Sequence, residues 1–206
     1  LYTVTGTDIN GCINTDQVTI TVNSLPNVNA GQDIAVCMGD SVTLNGTGAF
    51  VYSWDNNITN AISFLPTVSK IYAVTGTDVN GCNASDNILV SVNTLPNVDA
   101  GTDASICIGS SVTLNGTGAS SYVWNNSVTN ATAFSPTSTF TYTVTGTDTN
   151  GCENSDSLQV TVNDLPIVNA GKDTSICYNQ SITLTASGAL NYNWDNNINN
   201  ATSFTP

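Results

Sequence analysis

Histidine and arginine are missing altogether, and Lys70 and Lys172 are the only basic side chains in 206 residues. Each absence closes off a class of function. Nucleic acid is held through Lys and Arg, so this chain has little to hold it with. Anionic membrane surfaces are disfavoured for the same reason. Without His or Arg, the usual general bases and oxyanion donors are lacking. Paired carboxylates alone could serve a glycosidase, but nothing brackets a cleft on a 70-residue repeat, and the chain reads as non-enzymatic. Zinc would need cysteine ligands alone, and no CxxC spacing occurs. Apolar runs stay short of the roughly 18 residues of a membrane-spanning helix, so no membrane insertion is expected in this segment. Fifteen acidic residues bring the net charge to −13. They are spread along the chain, which suits solubility, with divalent-cation binding as the sharper alternative.

What the chain has is a repeat. Cys12, Cys82 and Cys152 are 70 residues apart, as are Cys37, Cys107 and Cys177. A fixed period without gaps means tandem copies of one module. The segments are 1–24 (the end of one module), 25–94 and 95–164 (two complete modules), and 165–206 (the start of another). Pro206 aligns with Pro66 and Leu1 with Ile71, four positions short of three full periods. The expectation is a window cut from a longer array. The alternative is a subunit whose broken module is completed by the next subunit's strands.

Ile71–Asn93, repeated at Leu1–Asn23 and Thr141–Asn163, places alternating residues on both sides of an Asn-Gly pair. That pattern predicts a hairpin with a type I′ turn, which needs φ > 0 at both central residues. Further strands are expected at 28–37, kinked at Gly31, and at 41–45, 50–54 and 61–64, with Val42 and Leu44 on one face. Some seven short strands per period, turn signals between them and no helical periodicity predict an all-β fold of 70-residue β-sandwich modules in a linear array. Regular, isolated cysteines in an acidic, Thr- and Asn-rich β-protein read as disulfides formed in an oxidising place, hence an extracellular location.

Asn29-Ala30-Gly31-Gln32-Asp33, then Cys37-x-Gly39-x-Ser41-Val42-Thr43-Leu44, then Tyr52-x-Trp54, then Tyr72-x-Val74-x-x-x-Asp78-x-Asn80-Gly81-Cys82 form one recurring set. It resembles the PKD-like and immunoglobulin-like repeats of large Bacteroidota surface proteins, adhesin-like or gliding-associated and exported by the type IX system. The resemblance covers the whole chain. It implies a core Trp at Trp54, Trp124 and Trp194 and a tyrosine corner at Tyr72 and Tyr142. Val74 stands where antibody-type domains carry the second inter-sheet Cys, so the core must hold by apolar packing.

In a sandwich of that topology, the turn after Cys37 lies at the C-terminal pole and the Asn80-Gly81 turn at the other. A strand of about seven residues spans roughly 23 Å, and a disulfide needs Cα atoms within about 7 Å. Cys37 is therefore expected to pair with Cys152 of the next module. Cys107 and Cys177 would pair with modules beyond this window, and Cys12 and Cys82 with modules before it. The rival is pairing within modules, Cys37–Cys82 and Cys107–Cys152.

Some PKD-type modules bind Ca²⁺ between linker and loops, and Asp78, Asn80, Asn27 and Asn29 form a comparable oxygen-rich pole. Calcium wants six to eight oxygens, several from carboxylates; here amides dominate, which suits Asx-turns, and no other cofactor is expected. Asp33 and Asp103 read as turn residues. Asp40-Ser41-Val42 and Asp156-Ser157-Leu158 resemble a short Bacteroidota O-glycosylation motif, making Ser41 and Ser157 candidate acceptors. The functional expectation is a stalk, spacer or filament that extends an adhesive tip. Its partners are neighbouring identical modules, and a glycan or protein surface through another region. Two alternatives stay open: a glycan-binding module repeated for avidity, and a self-assembling filament subunit.

Overall fold

Tyr72, Val74, Ile88 and Val90 occupy alternate positions on two long strands, and all four are buried. The period-2 alternation sorts their side chains onto one face, and that face becomes the core. The computed structural model describes residues 1–206. The chain divides into two compact units: Leu1–Pro96 with Asp148–Glu153, and Asn97–Thr147 with Asn154–Pro206.

In the first unit, β1 (Tyr2–Thr7) and β2 (Ile13–Val18) pair antiparallel and only with each other. There follow β3 (Ile34–Cys37), β4 (Val42–Thr43), β5 (Val51–Trp54), β6 (Ser63–Phe64), β7 (Lys70–Thr77) and β8 (Asn83–Asn93). One sheet has the order β3-β8-β7-β5, and β4 pairs with β6 in the other. β3 runs parallel to β8, with Ile34 opposite Val90 and Cys37 opposite Asn93. β5 is antiparallel to β7, with Trp54 opposite Val74. This strand order is immunoglobulin-like. Val42 and Leu44 from the β4 side join Trp54, Val74 and Ile88 in one cluster, so the two sheets share a core.

In the second unit lie β9 (Ala104–Cys107), β10 (Val112–Thr113), β11 (Ser121–Trp124), β12 (Ala133–Phe134), β13 (Phe140–Thr147) and β14, which runs Glu153–Asn163. The order β11-β13-β14-β9 and the Trp124–Val144 register repeat the first module 70 residues on. Val98, Leu114, Trp124, Val144 and Val160 form the equivalent core. In residues 165–206 only β15 (Ile182–Thr183) and β16 (Ser203–Phe204) form, paired with each other. Residues 174–177 and 191–194, which match β3 and β5, form no strand.

Three sequence expectations are corrected. Each module has six strands rather than seven, because Asn29–Thr47 and its equivalent Asp99–Thr117 are single bridges. The hairpin turn is not type I′: Gly81 alone has positive φ (83°). Gly81 N–H donates to Asp78 O at 3.2 Å and Asp78 N–H to Cys82 O at 2.9 Å. That is a three-residue loop, with a type I turn followed by a left-handed Gly. The cause is Asp78, whose Oδ1 accepts Asn80 N–H and Cys82 N–H, each at 2.9 Å, and holds Asn80 out of the left-handed region. Tyr72 forms no tyrosine corner; the hydroxyl that bonds backbone is that of Tyr52 on β5. Tyr52 hydroxyl bonds Ala49 N–H and O, both at 2.7 Å, whereas Tyr72 packs its ring 5.3 Å from Phe64.

Each buried indole has its partner. Trp54 Nε1–H donates to Asn60 Oδ1 at 2.8 Å, and the same oxygen accepts Gly46 N–H at 2.8 Å. Asn130 does the same for Trp124 and Gly116. A buried donor left unpaired costs about 1–3 kcal/mol. Asn60→Leu is therefore expected to destabilise the module by about 2 kcal/mol, read as a lower urea midpoint than that of Thr67→Ala, at an exposed position.

Candidate functional site

The parallel β3–β8 pairing carries Cys37 to the Asn93 end of β8. Cys82 precedes Asn83 at the other end, ten residues away. At about 3.3 Å per residue these ends are some 33 Å apart, far beyond disulfide reach. A Cys37–Cys82 bond is thereby excluded. The pairing found is Cys37–Cys152, with Cα atoms 5.5 Å apart and a sequence separation of 115. Both cysteines belong to the first compact unit, which takes in the tip Asp148–Glu153.

Local chemistry fixes both sulfurs. Met38 N–H donates to Asn93 O at 2.8 Å, ending the ladder in a turn. Asp40 Oδ2 accepts Cys37 N–H at 3.1 Å, and Asp40 N–H donates to Cys37 O at 3.0 Å. Asp148 Oδ1 accepts Cys152 N–H at 2.8 Å. Cys152 is fully buried. Cys12, Cys82, Cys107 and Cys177 are free thiols.

Sequence reading missed a second set of acidic contacts. Asp86 Oδ2 accepts Ala30 N–H at 2.8 Å, and Asp33 Oδ1 accepts Leu89 N–H at 2.8 Å. Asp156 with Ala100 and Asp103 with Gln159 repeat both bonds. Asp33 and Asp103 are thus not turn residues: with Asp86 and Asp156 they clamp the segment before the parallel strand onto the hairpin, 56 residues away. The Ala30 N–H, followed by Asn87 N–H, holds the Asp86 carboxyl below its ordinary value of 3.8. Asp156 is lowered in the same way by Ala100 and then Ser157.

The sign follows from linkage. A carboxylate whose pKa is depressed on folding contributes stability above its unfolded pKa and loses it as pH falls through the folded one. Acid should therefore weaken the module below about pH 4. Asp86→Asn is expected to be less stable at pH 7 and to lose less on acidification, as measured by thermal melts from pH 7 to pH 2. An unchanged pH profile would contradict the clamp.

The amide-rich pole is occupied with turns. Asp78 Oδ1 serves its own hairpin, and Asn29 Oδ1 accepts Gly31 N–H at 2.7 Å. No three His, Cys, Asp or Glu side chains gather in a metal-binding group. Ser41 and Ser157 are exposed, but Asp40 and Asp156 before them accept backbone bonds to Cys37 and Ala100. A glycan platform repeated for avidity would need an exposed aromatic at each 70-residue step. Trp54 and Trp124 are buried, and the exposed rings of Phe50, Phe140 and Tyr178 have no aromatic equivalent one period away.

No family model matches the chain, and no curated protein matches it. Solved structures similar to it include a pair of titin domains in complex with telethonin, at 17% identity and a TM-score of 0.29, covering 70% of this chain and 100% of that one. The insect immune protein hemolin matches at 15% identity and 0.37, covering 72% and 49%. A Ca²⁺-stabilised adhesin with which an Antarctic bacterium binds ice matches at 15% and 0.36, covering 82% and 59%. The chain thus spans less than two thirds of the hemolin and adhesin chains. At these identities and scores the similarities bear no weight on function, and the immunoglobulin-like assignment rests on strand order and register.

Proposed function

We propose that the chain is a structural repeat region, a stalk or spacer, of an exported bacterial surface protein of the Bacteroidota type its motifs resemble. The modules of this reading are 25–94 and 95–164, flanked by parts of two others. The observation that carries it is the Cys37–Cys152 disulfide. Such a bond belongs to oxidising surroundings, and this one ties a strand of one sequence period to the hairpin of the next. A protein that must carry load between a cell and its target gains from such a tie. A binding role would instead call for a repeated exposed cleft.

Antibodies to the chain are expected to decorate intact cells that produce it, and the immobilised chain is expected to capture nothing from a glycan array. Staining confined to permeabilised cells, or saturable glycan capture, would overturn the reading.

A further inference from the structure

Four Asn-Gly pairs fall within the complete modules, and the fold holds them in two different ways. Asparagine is a thermolabile residue. Before glycine it is self-reactive, because without a Cβ in the way the glycine nitrogen can reach the asparagine side-chain amide.

Asn45-Gly46 and Asn115-Gly116 are locked. Both glycines are buried. Gly46 N–H donates to Asn60 Oδ1 and Gly116 N–H to Asn130 Oδ1, each at 2.8 Å. The side-chain amides are tied as well: Asn45 Oδ1 accepts from Asn60 Nδ2 at 3.2 Å, and Asn115 Oδ1 from Asn130 Nδ2 at 3.3 Å. A Cβ at Gly46 would lie 2.9 Å from the Tyr52 ring, so the backbone there has no room to turn.

Asn80-Gly81 and Asn150-Gly151, in the loops β7–β8 and β13–β14, are open. Both residues of each pair are exposed, and a Cβ on either glycine would meet no atom within 4 Å. Gly81 N–H and Gly151 N–H make long bonds of 3.2 Å to the carbonyl oxygens of Asp78 and Asp148. Asn150 stays exposed although Cys152, two residues on, is fully buried.

We propose that Asn80 and Asn150 are self-modification sites, and that conversion of Asn150 loosens the seat of the Cys37–Cys152 bond. The glycine nitrogen attacks Cγ of the asparagine. The N–Cγ bond forms, the Cγ–Nδ2 bond breaks, and ammonia leaves with the proton of the glycine N–H. Water then opens the cyclic imide at either carbonyl, giving aspartate or isoaspartate. In isoaspartate the main chain runs through Cβ and Cγ and is one atom longer. Asp148 Oδ1 accepts both Asn150 N–H and Cys152 N–H, each at 2.8 Å. The longer chain no longer sets both donors on that oxygen, and the new carboxylate repels Asp148.

The test incubates the full chain at pH 8 and 37 °C for several weeks, with peptide mapping that separates aspartate from isoaspartate. Conversion at Asn80 and Asn150 is expected to be about tenfold or more faster than at Asn45 and Asn115, where a hydrogen bond and burial must first be lost. In concentrated urea the four pairs are expected to convert alike. Dithiothreitol is expected to reduce Cys37–Cys152 several-fold faster in the incubated chain than in fresh chain, and Asn150→Ser is expected to abolish that difference. Intact Asn80 and Asn150, or equal conversion at all four pairs in the folded chain, would overturn the assignment. An unchanged reduction rate in isoaspartate-rich chain would overturn the link to the disulfide. Neither result would touch the spacer reading, which rests on the Cys37–Cys152 bond itself.

Discussion

Stretched end to end, the oxidised chain is expected to give a contour about 400 Å shorter than the reduced one. Fully extended residues span at most about 3.3–3.6 Å each, so 206 residues reach about 700 Å. The Cys37–Cys152 bond removes 115 of them from the force path. Tension entering at Leu1 reaches Cys37, crosses to Cys152 and leaves toward Pro206. Strands β4 to β13 lie between the two cysteines and are shielded. Single-molecule pulling with and without reductant reads this directly, and Cys37→Ser should match the reduced chain. Equal contours would show that the bond is absent. The same loop constrains the unfolded state. In the chain-entropy model a closure of this length contributes on the order of 4–5 kcal/mol, so reduction should also lower the urea midpoint.

Gly48→Ala is expected to be among the most damaging single substitutions. Gly48 has φ +89°, and a Cβ there would lie 1.8 Å from the Asn27 carbonyl oxygen. The obstacle is backbone, which cannot swing aside as a side-chain tip can. Gly118 meets Asn97 O at 1.9 Å in the same way. Left-handed backbone costs a non-glycine residue about 1–2 kcal/mol, and forced overpacking adds about 1–3 kcal/mol. A loss of about 3 kcal/mol or more should lower the urea midpoint by roughly 1–3 M. Gly39→Ala separates the two effects. Its φ is +99° but nothing lies within 4 Å of the added carbon, so it should lose only the backbone part, about 1–2 kcal/mol. Equal losses at both positions would contradict the close approach at Gly48.

The period, the hairpins and the apolar face could be read from the sequence because each is a local pattern. Alternation around Asn80-Gly81 marks a hairpin whatever its turn type. The turn type itself is decided by the Asp78 carboxylate reaching forward to Asn80 and Cys82, a bond that no spacing rule reports. Tyr52 and Tyr72 both occur two residues before a core residue, Trp54 and Val74. Only the loop at Ala49 brings backbone within reach of a hydroxyl, that of Tyr52, so the bond falls on β5 and not on Tyr72. The clamp of Asp33 and Asp86 joins residues 56 apart across a parallel pair. In the sequence, those aspartates look like any others of a very acidic chain. The cysteine pairing needed one fact about poles, that the strand before Cys37 runs parallel to the last strand of its own module.

A covalent tie joins successive sequence periods. It is tested most directly by digesting the oxidised chain with a protease that cuts before Asp, under non-reducing conditions, and weighing the fragments. The expected product joins residues 33–39, carrying Cys37, to residues 148–155, carrying Cys152. Residues 33–39 joined to residues 78–85, carrying Cys82, or released with a free thiol, would contradict the account.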